Sequence, residues 1–163
     1  MAAGGGHLEV LKFAHENGCP WDGSVCCHAA EGGHLELLKW AREKGCPWDV
    51  WTCSYAAKNG HLEVVKWAHE NGCPLDQSTC QHAAENGHLE LLQWLRETGC
   101  QWDARTCARA AENGHLEILK WARANGCPWD PVPFSTTRCN NSVVIQWLRD
   151  NGCVVWIDGH CAY

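Results

Sequence analysis

Apolar residues recur along this chain at helical spacing, in short stretches that each end at a glycine. In one stretch Cys53, Ala56 and Ala57 lie at positions i, i+3 and i+4, which places them on one face of a helix. In the next stretch Leu62 and Val65 share a face in the same way. The pattern predicts two short amphipathic helices that are separated by a turn.

The ends of these helices are also marked in the sequence. The carboxylate of Asp49 is a good N-cap because it can accept hydrogen bonds from the N–H groups of the first turn. Gly60 and Gly72 are placed to end the two helices, since glycine tolerates the left-handed conformation that follows a helix. These signals predict helices over 50–59 and 62–71, and no stretch of the chain carries a strand signal of useful length.

The helix pair repeats with a period of 27 residues. The phrase Gly-His-Leu-Glu begins at five evenly spaced positions, which are Gly6, Gly33, Gly60, Gly87 and Gly114. A period of about 20–50 residues is typical of solenoids, whose stacked units bury a continuous core. We therefore expect one repeat array over 1–163, divided into a half-repeat 1–21, full repeats 22–48, 49–75, 76–102 and 103–129, a degenerate repeat 130–156 and a tail 157–163.

The repeat resembles a known family. The segment from Thr52 to Lys66 reads TCSYAAKNGHLEVVK and is similar to the ankyrin repeat core TPLHxAAxxGHLEVVKLLL, and the resemblance covers roughly 1–152. The family period is about 33 residues, so the present repeat lacks most of the projecting β-hairpin of an ankyrin repeat. The resemblance implies an all-α solenoid of helical hairpins with shortened inter-repeat hairpins, and a scaffold that binds protein partners.

The overall charge and the absence of familiar motifs narrow the possible functions. The formal net charge of −6 argues against nonspecific binding to nucleic acid and against an electrostatic membrane anchor. The chain contains no HExxH, P-loop or GxSxG motif, and the composition shows no candidate catalytic constellation. We expect a non-catalytic protein with no cofactor, no metal, no small-molecule substrate and no nucleic-acid or membrane partner.

Thirteen cysteines also need an explanation. The N-terminal residues carry no basic region followed by an apolar stretch, so we expect an intracellular, cytoplasmic protein with reduced thiols and buried, small apolar cysteines. Cysteines at equivalent positions of neighbouring repeats should lie about 8–10 Å apart, which is too far for a disulfide. A pair such as Cys46 and Cys53 stays open, and a Cys- and His-rich metal-binding or redox-responsive protein remains an alternative function.

Histidine and tryptophan recur with the same period, so each has a structural explanation. The histidine of each Gly-His-Leu-Glu phrase is expected to hydrogen-bond local backbone in the turn between the paired helices. The tryptophans of the second helix and of the following turn are expected to pack between repeats.

Residues that break the period are candidates for specificity. If the capping aspartate is position one, positions three, six, seven and ten of the first helix differ between repeats and should share a face opposite the Cys-Ala-Ala stripe. Solenoids bind partners through such extended faces, and drift of exposed positions is the competing interpretation. The predicted partner-binding residues are His28, Trp51, Tyr55, Gln81, His82, Arg105 and Arg109.

The N-terminal half-repeat suggests another alternative. The chain begins near the end of a first helix, and no capping repeat is visible to cover the outer face of the helix from His7 to Asn17. A targeting fragment of a larger multidomain protein is therefore a further possible function.

Overall fold

A computed structural model describes residues 2–128, 134–135, 141–153, 155–157 and 160–162. The chain forms two compact units, an N-terminal unit over Met1–Thr79 and a C-terminal unit over Cys80–Tyr163. The boundary between them falls within one helix, Gln77–Glu85.

The N-terminal unit is built from helical hairpins. Its helices are α1 (Leu8–Glu16), α2 (Gly23–Glu31), α3 (Leu35–Glu43), α4 (Val50–Lys58) and α5 (Leu62–Glu70), followed by the start of α6 (Gln77–Glu85). The helices predicted over 50–59 and 62–71 are confirmed to within one residue at their C-terminal ends. First helices pack on first helices, as α2 does on α4, and each hairpin closes on itself, as α4 does on α5.

The C-terminal unit continues the same plan. After α6 it contains α7 (Leu89–Glu97), α8 (Ala104–Glu112), α9 (Leu116–Ala124) and α10 (Ser142–Asp150), together with three short strands, β1 (Phe134–Ser135), β2 (Val155–Ile157) and β3 (His160–Ala162). The fold class is the predicted helical repeat solenoid, and residues 2–128 contain no strand, so the connections between repeats are tight turns.

The three strands form a small sheet that the sequence pattern did not predict. β1 pairs in parallel with β2 through Phe134 and Val155, and β2 pairs antiparallel with β3 through Trp156 and Cys161. Segments of two or three residues are too short to show the alternation that marks a strand. Of the predicted degenerate repeat 130–156, residues 130–133, 136–140 and 154 lie outside the described residues.

The predicted helix boundaries depend on the expected contacts. Asp49 accepts a hydrogen bond from the backbone N–H of Trp51 at 3.0 Å, and Asp103 does the same for Arg105. Gly60 and Gly72 have φ angles of 74° and 86°, in the left-handed region that glycine adopts without a Cβ clash. Capping and termination therefore follow from residue type at both ends of the helices.

The core is made of the residues that repeat. Cys53, Ala56 and Ala57 have no exposed surface, and the equivalent residues of α2, α6 and α8 are at most 2% exposed. On the second helix of the same repeat, Val64 and Val65 are buried against the neighbouring elements. The period in the sequence is thus the period of the buried stripe.

The repeating histidines differ from the expectation. His61 Nε2–H donates to the carbonyl oxygen of Glu31 at 3.0 Å, and His115 donates to the carbonyl oxygen of Glu85 at the same distance. Each bond spans 30 residues, so it ties a turn to the preceding repeat rather than to local backbone. The acceptor is a carbonyl, which means that the bonding nitrogen carries the proton.

The tryptophans pack between repeats, as predicted. Trp48, in the turn that ends one repeat, meets Trp67 on the second helix of the next, with ring centroids 5.8 Å apart at 68°. Trp102 and Trp121 make the same edge-to-face contact in the C-terminal unit, at 5.6 Å and 69°. Edge-to-face pairs of this kind add stability beyond the area that they bury.

Candidate functional site

Three of the predicted partner-binding residues lie together in the N-terminal unit. His28 on α2 and Trp51 and Tyr55 on α4 line one open cavity of about 590 Å³. The Trp51 side chain is 49% exposed, although it is large and apolar. Its ring centroid lies 6.0 Å from that of Tyr55, and the two ring planes are tilted by 31°.

Carboxylates surround these aromatic rings. Asp22, Glu31 and Asp49 line the same cavity. Asp22 accepts hydrogen bonds from Ser24, and these bonds hold the pKa of the Asp22 carboxyl below its usual range. The cavity is therefore acidic at neutral pH.

The histidine of the cavity presents an acceptor as well. His28 Nδ1 lies 2.6 Å from the carbonyl oxygen of Ser24, one turn earlier on α2. A carbonyl only accepts, so Nδ1 carries the proton and Nε2 of the neutral ring keeps its lone pair. Neutral His28 can thus add a hydrogen-bond acceptor to the three carboxylates.

Position six of the repeat contacts the next repeat. The Cys27 thiol lies 3.5 Å from the Thr52 hydroxyl, and burial raises the pKa of this thiol. The Ser54 side chain has no exposed surface and bonds the Ser78 hydroxyl at 2.7 Å. In repeat 22–48 the residues at positions three, six, seven and ten line one open cavity, as the sequence predicted; they are Ser24, Cys27, His28 and Glu31. In repeat 49–75 the fully buried Ser54 lies outside such an open face.

The remaining predicted residues lie in the C-terminal unit. Gln81, at position six, donates from its side-chain amide to both carboxylate oxygens of Asp103, at 3.1 and 3.2 Å. Arg109 donates to Glu85 at 3.4 Å and is half-buried, as is His82. Arg105 is exposed, so of these four residues it presents the most open side chain.

The cysteines form pairs that the sequence did not suggest. The sulfur atoms of Cys80 and Cys100 lie 3.5 Å apart in a buried site. Cys26 and Cys46, Cys53 and Cys73, and Cys107 and Cys127 also interact, and hydrogen bonding together with burial raises the pKa of Cys26 and Cys107. Each pair joins residues 20 positions apart within one repeat. The sequence shows that both cysteines recur every 27 residues, but it does not show that they contact each other.

Neither a metal centre nor a membrane span is formed by the residues described. Among them, no group of three or more His, Cys, Asp or Glu side chains is arranged around a common point that could hold a metal ion. None of the described helices combines the length and the apolar content that crossing a bilayer demands.

Comparison with known proteins agrees with the repeat architecture. A family model described as ankyrin repeats in three copies matches residues 53–131, and a second, described as ankyrin repeats in many copies, matches residues 26–69. A search of curated proteins found no match. The helical hairpins, their period and these two matches together show that the chain belongs to the ankyrin repeat family.

Proposed function

We propose that this protein is a non-catalytic scaffold that binds a protein partner through the variable face of its first helices. Ankyrin repeats generally serve as protein–protein interaction modules and are typically non-enzymatic. The observation that supports this face is the Trp51–Tyr55 pair, which lines an open cavity with Trp51 49% exposed. A large aromatic side chain held at the surface is a common feature of interaction sites.

The energetic argument rests on preorganisation. α4 is capped by the Asp49 side chain and buries its Cys-Ala-Ala face completely, so its opposite face is presented on an ordered helix. A partner that docks on an ordered helix pays little for ordering it, and tryptophan and tyrosine supply much contact area for few rotatable bonds. In the C-terminal unit, considered by itself, Arg105 is the most exposed of the predicted residues, and we propose it as a partner contact of that unit.

A capture experiment tests the face. The full chain is immobilised on a resin and incubated with a lysate of the organism that encodes it. Bound proteins are then identified by mass spectrometry for the native chain and for Trp51→Ala/Tyr55→Ala. We expect proteins that the native chain retains to be lost from the variant, because the variant lacks the two aromatic rings that line the cavity.

A matched control removes exposed apolar side chains elsewhere. Val10 and Phe13 on α1 are 56% and 68% exposed, so Val10→Ala/Phe13→Ala deletes a comparable apolar surface away from the cavity. This control should retain the same proteins as the native chain. If both double variants bind the same set, the proposed face is wrong.

The paired thiols favour a second candidate function, a redox-responsive repeat protein. The Cys80 and Cys100 sulfurs, 3.5 Å apart, need only a small displacement to reach the disulfide bond length of about 2.05 Å. Hydrogen peroxide would take two electrons from the pair, leaving one disulfide and two molecules of water. The cysteines whose side chains the structure describes are free thiols. We propose that the protein resides in a reducing, intracellular compartment, which keeps thiols in this state.

Peroxide treatment tests this candidate. The folded chain is exposed to hydrogen peroxide, free thiols are alkylated under denaturing conditions, and disulfide-linked peptides are mapped by mass spectrometry. A redox-responsive protein should yield a Cys80–Cys100 linkage, and the linkage should raise thermal stability because it closes a 20-residue loop, by about 3 kcal/mol in the chain-entropy model. The exposed Cys19 is an internal control. Oxidation of Cys19 with no linked pair would rule the candidate out.

A further inference from the structure

The acidic cavity of the N-terminal unit has the chemistry of a cation site. Its lining combines the exposed ring of Trp51 with the carboxylates of Asp22, Glu31 and Asp49. No Lys or Arg side chain is among the lining residues. A ligand that fits must therefore be positively charged, rich in hydrogen-bond donors and able to lie against an aromatic face.

The repeats provide an internal comparison for this site. Glu85 of the C-terminal unit receives a hydrogen bond from Arg109 at 3.4 Å. Glu31 occupies the same repeat position as Glu85, and Tyr55 occupies the position of Arg109. Glu31 makes no ion pair within the described part of the chain, although its carboxylate lines the cavity. The N-terminal unit thus keeps the carboxylate and lacks the guanidinium that meets its counterpart.

Arginine already stacks on tryptophan elsewhere in this protein. The guanidinium carbon of Arg42 lies 4.0 Å from the ring centroid of Trp48, and that of Arg96 lies 4.2 Å from that of Trp102. These distances are within the range in which a cation is attracted by the ring face. The same contact can form on Trp51, which is 49% exposed.

We propose that this cavity binds an arginine side chain of a partner protein, with the guanidinium on the Trp51 ring and its N–H groups directed to Glu31 and Asp49. The proposal rests on the proposed function, because it names the chemistry by which the same face recognises its partner. Charge complementarity between three carboxylates and one cation selects the ligand class.

Arginine fits this site better than lysine for geometric reasons. A guanidinium is planar, so it can stack on the indole while its N–H groups reach carboxylates at the edge of the ring. Two N–H groups of the fork can bind one carboxylate in parallel, which an ammonium cannot do. Lysine would be held as a point charge without the stacking contact.

A titration followed by nuclear magnetic resonance tests the proposal. The ¹⁵N-labelled full chain is titrated with the acetylated, amidated peptide Gly-Ser-Gly-Arg-Gly-Ser-Gly, and with versions that carry lysine or citrulline in place of arginine. The indole N–H signal of Trp51 is assigned by its loss in Trp51→Phe. We expect the arginine peptide to shift this signal, and the lysine and citrulline peptides to bind about fivefold or more weakly.

Matched variants separate the cavity from the rest of the surface. Glu31→Gln keeps the size of the side chain but removes one charge and one acceptor oxygen, and it should weaken arginine binding by about fivefold. Glu85→Gln makes the same change at the equivalent position of the C-terminal unit, where Arg109 already binds, and should leave the affinity unchanged. Trp51→Ala should weaken arginine binding and reduce the preference for arginine over lysine, because the stacking contact is lost while the carboxylates remain. The remaining amide signals report whether the variant is folded.

The outcomes distinguish this proposal from the proposed function. Equal binding of the arginine and citrulline peptides, or shifts that spare Trp51, would overturn the arginine site. If partner capture still depends on Trp51 and Tyr55, the recognition face stands with another ligand. If capture is also unaffected by the double variant, both proposals fail.

Discussion

Replacing Val64 with alanine is expected to lower the free energy of unfolding by about 1.5–3 kcal/mol. Val64 is the fifth residue of its Gly-His-Leu-Glu-Val phrase and is only 3% exposed. Alanine removes two buried carbon atoms, and the elements around α5 close over the resulting cavity only in part, so the lost burial and the cavity both contribute.

The chain itself supplies the control for this prediction. Val10 is the fifth residue of the first phrase, on α1, but it is 56% exposed. Val10→Ala makes the same chemical change on an open surface and should alter the free energy of unfolding by less than about 0.5 kcal/mol. Urea denaturation followed by circular dichroism measures both. Equal losses would show that the burial of Val64 is not the source of its contribution.

Replacing Gly33 with alanine is expected to cost about 2–3 kcal/mol, from two separate effects. The first is the left-handed backbone, with φ at +74°, where any Cβ meets the following carbonyl. The second is a steric clash with the imidazole ring of His61, whose Cε1 would lie 2.6 Å from the new Cβ. The ring is held by its hydrogen bond to the carbonyl of Glu31, so moving it breaks that bond.

Two further variants separate these effects. Gly45 also has a left-handed φ, +80°, but no atom lies within 4 Å of a Cβ built there, so Gly45→Ala should cost only the backbone term of about 1–2 kcal/mol. In a His61→Ala background the ring is gone, and Gly33→Ala should then cost the same as Gly45→Ala. Thermal or urea unfolding is measured for five proteins: the native chain, Gly33→Ala, Gly45→Ala, His61→Ala and Gly33→Ala/His61→Ala. Identical costs for Gly33→Ala and Gly45→Ala in the native background would contradict the proposed clash.

These two predictions concern different contributions to the stability of the array. In a repeat protein, stability is approximately the sum of each unit and its contacts with its neighbours. Val64 is buried on the second helix of its repeat, whereas the His61 bond joins that repeat to the preceding one. The Gly33→Ala variant therefore measures the coupling between successive hairpins.

Much of the fold could be predicted because it depends on local chemistry. The helix that starts after Asp49 and stops before Gly60 follows from a side-chain cap and a glycine with positive φ. The buried face followed from spacing alone, since Cys53 and Ala56 recur in every full repeat at helical intervals. The short strands of the C-terminal unit were missed because segments of two or three residues carry no periodicity.

The candidate site could be predicted only in part. Trp51 and Tyr55 differ from the residues at their positions in other repeats, which marked them as candidates, and they do share one cavity. Gln81 was marked by the same reasoning, but its amide binds Asp103 between repeats. Variation shows that a position is not needed for the common architecture, but it does not show which way the side chain points.

By itself, the sequence determined the helical hairpin, its period and its buried stripe, because caps, glycines and apolar spacing act within a few residues of each other. Only the tertiary structure decided which residues meet across longer separations, as Cys80 meets Cys100 and His61 meets the backbone of Glu31. It also brought Glu31 and Asp49 into the cavity that Trp51 lines. Such contacts depend on how one hairpin is placed against the next, and that placement results from packing over the whole interface.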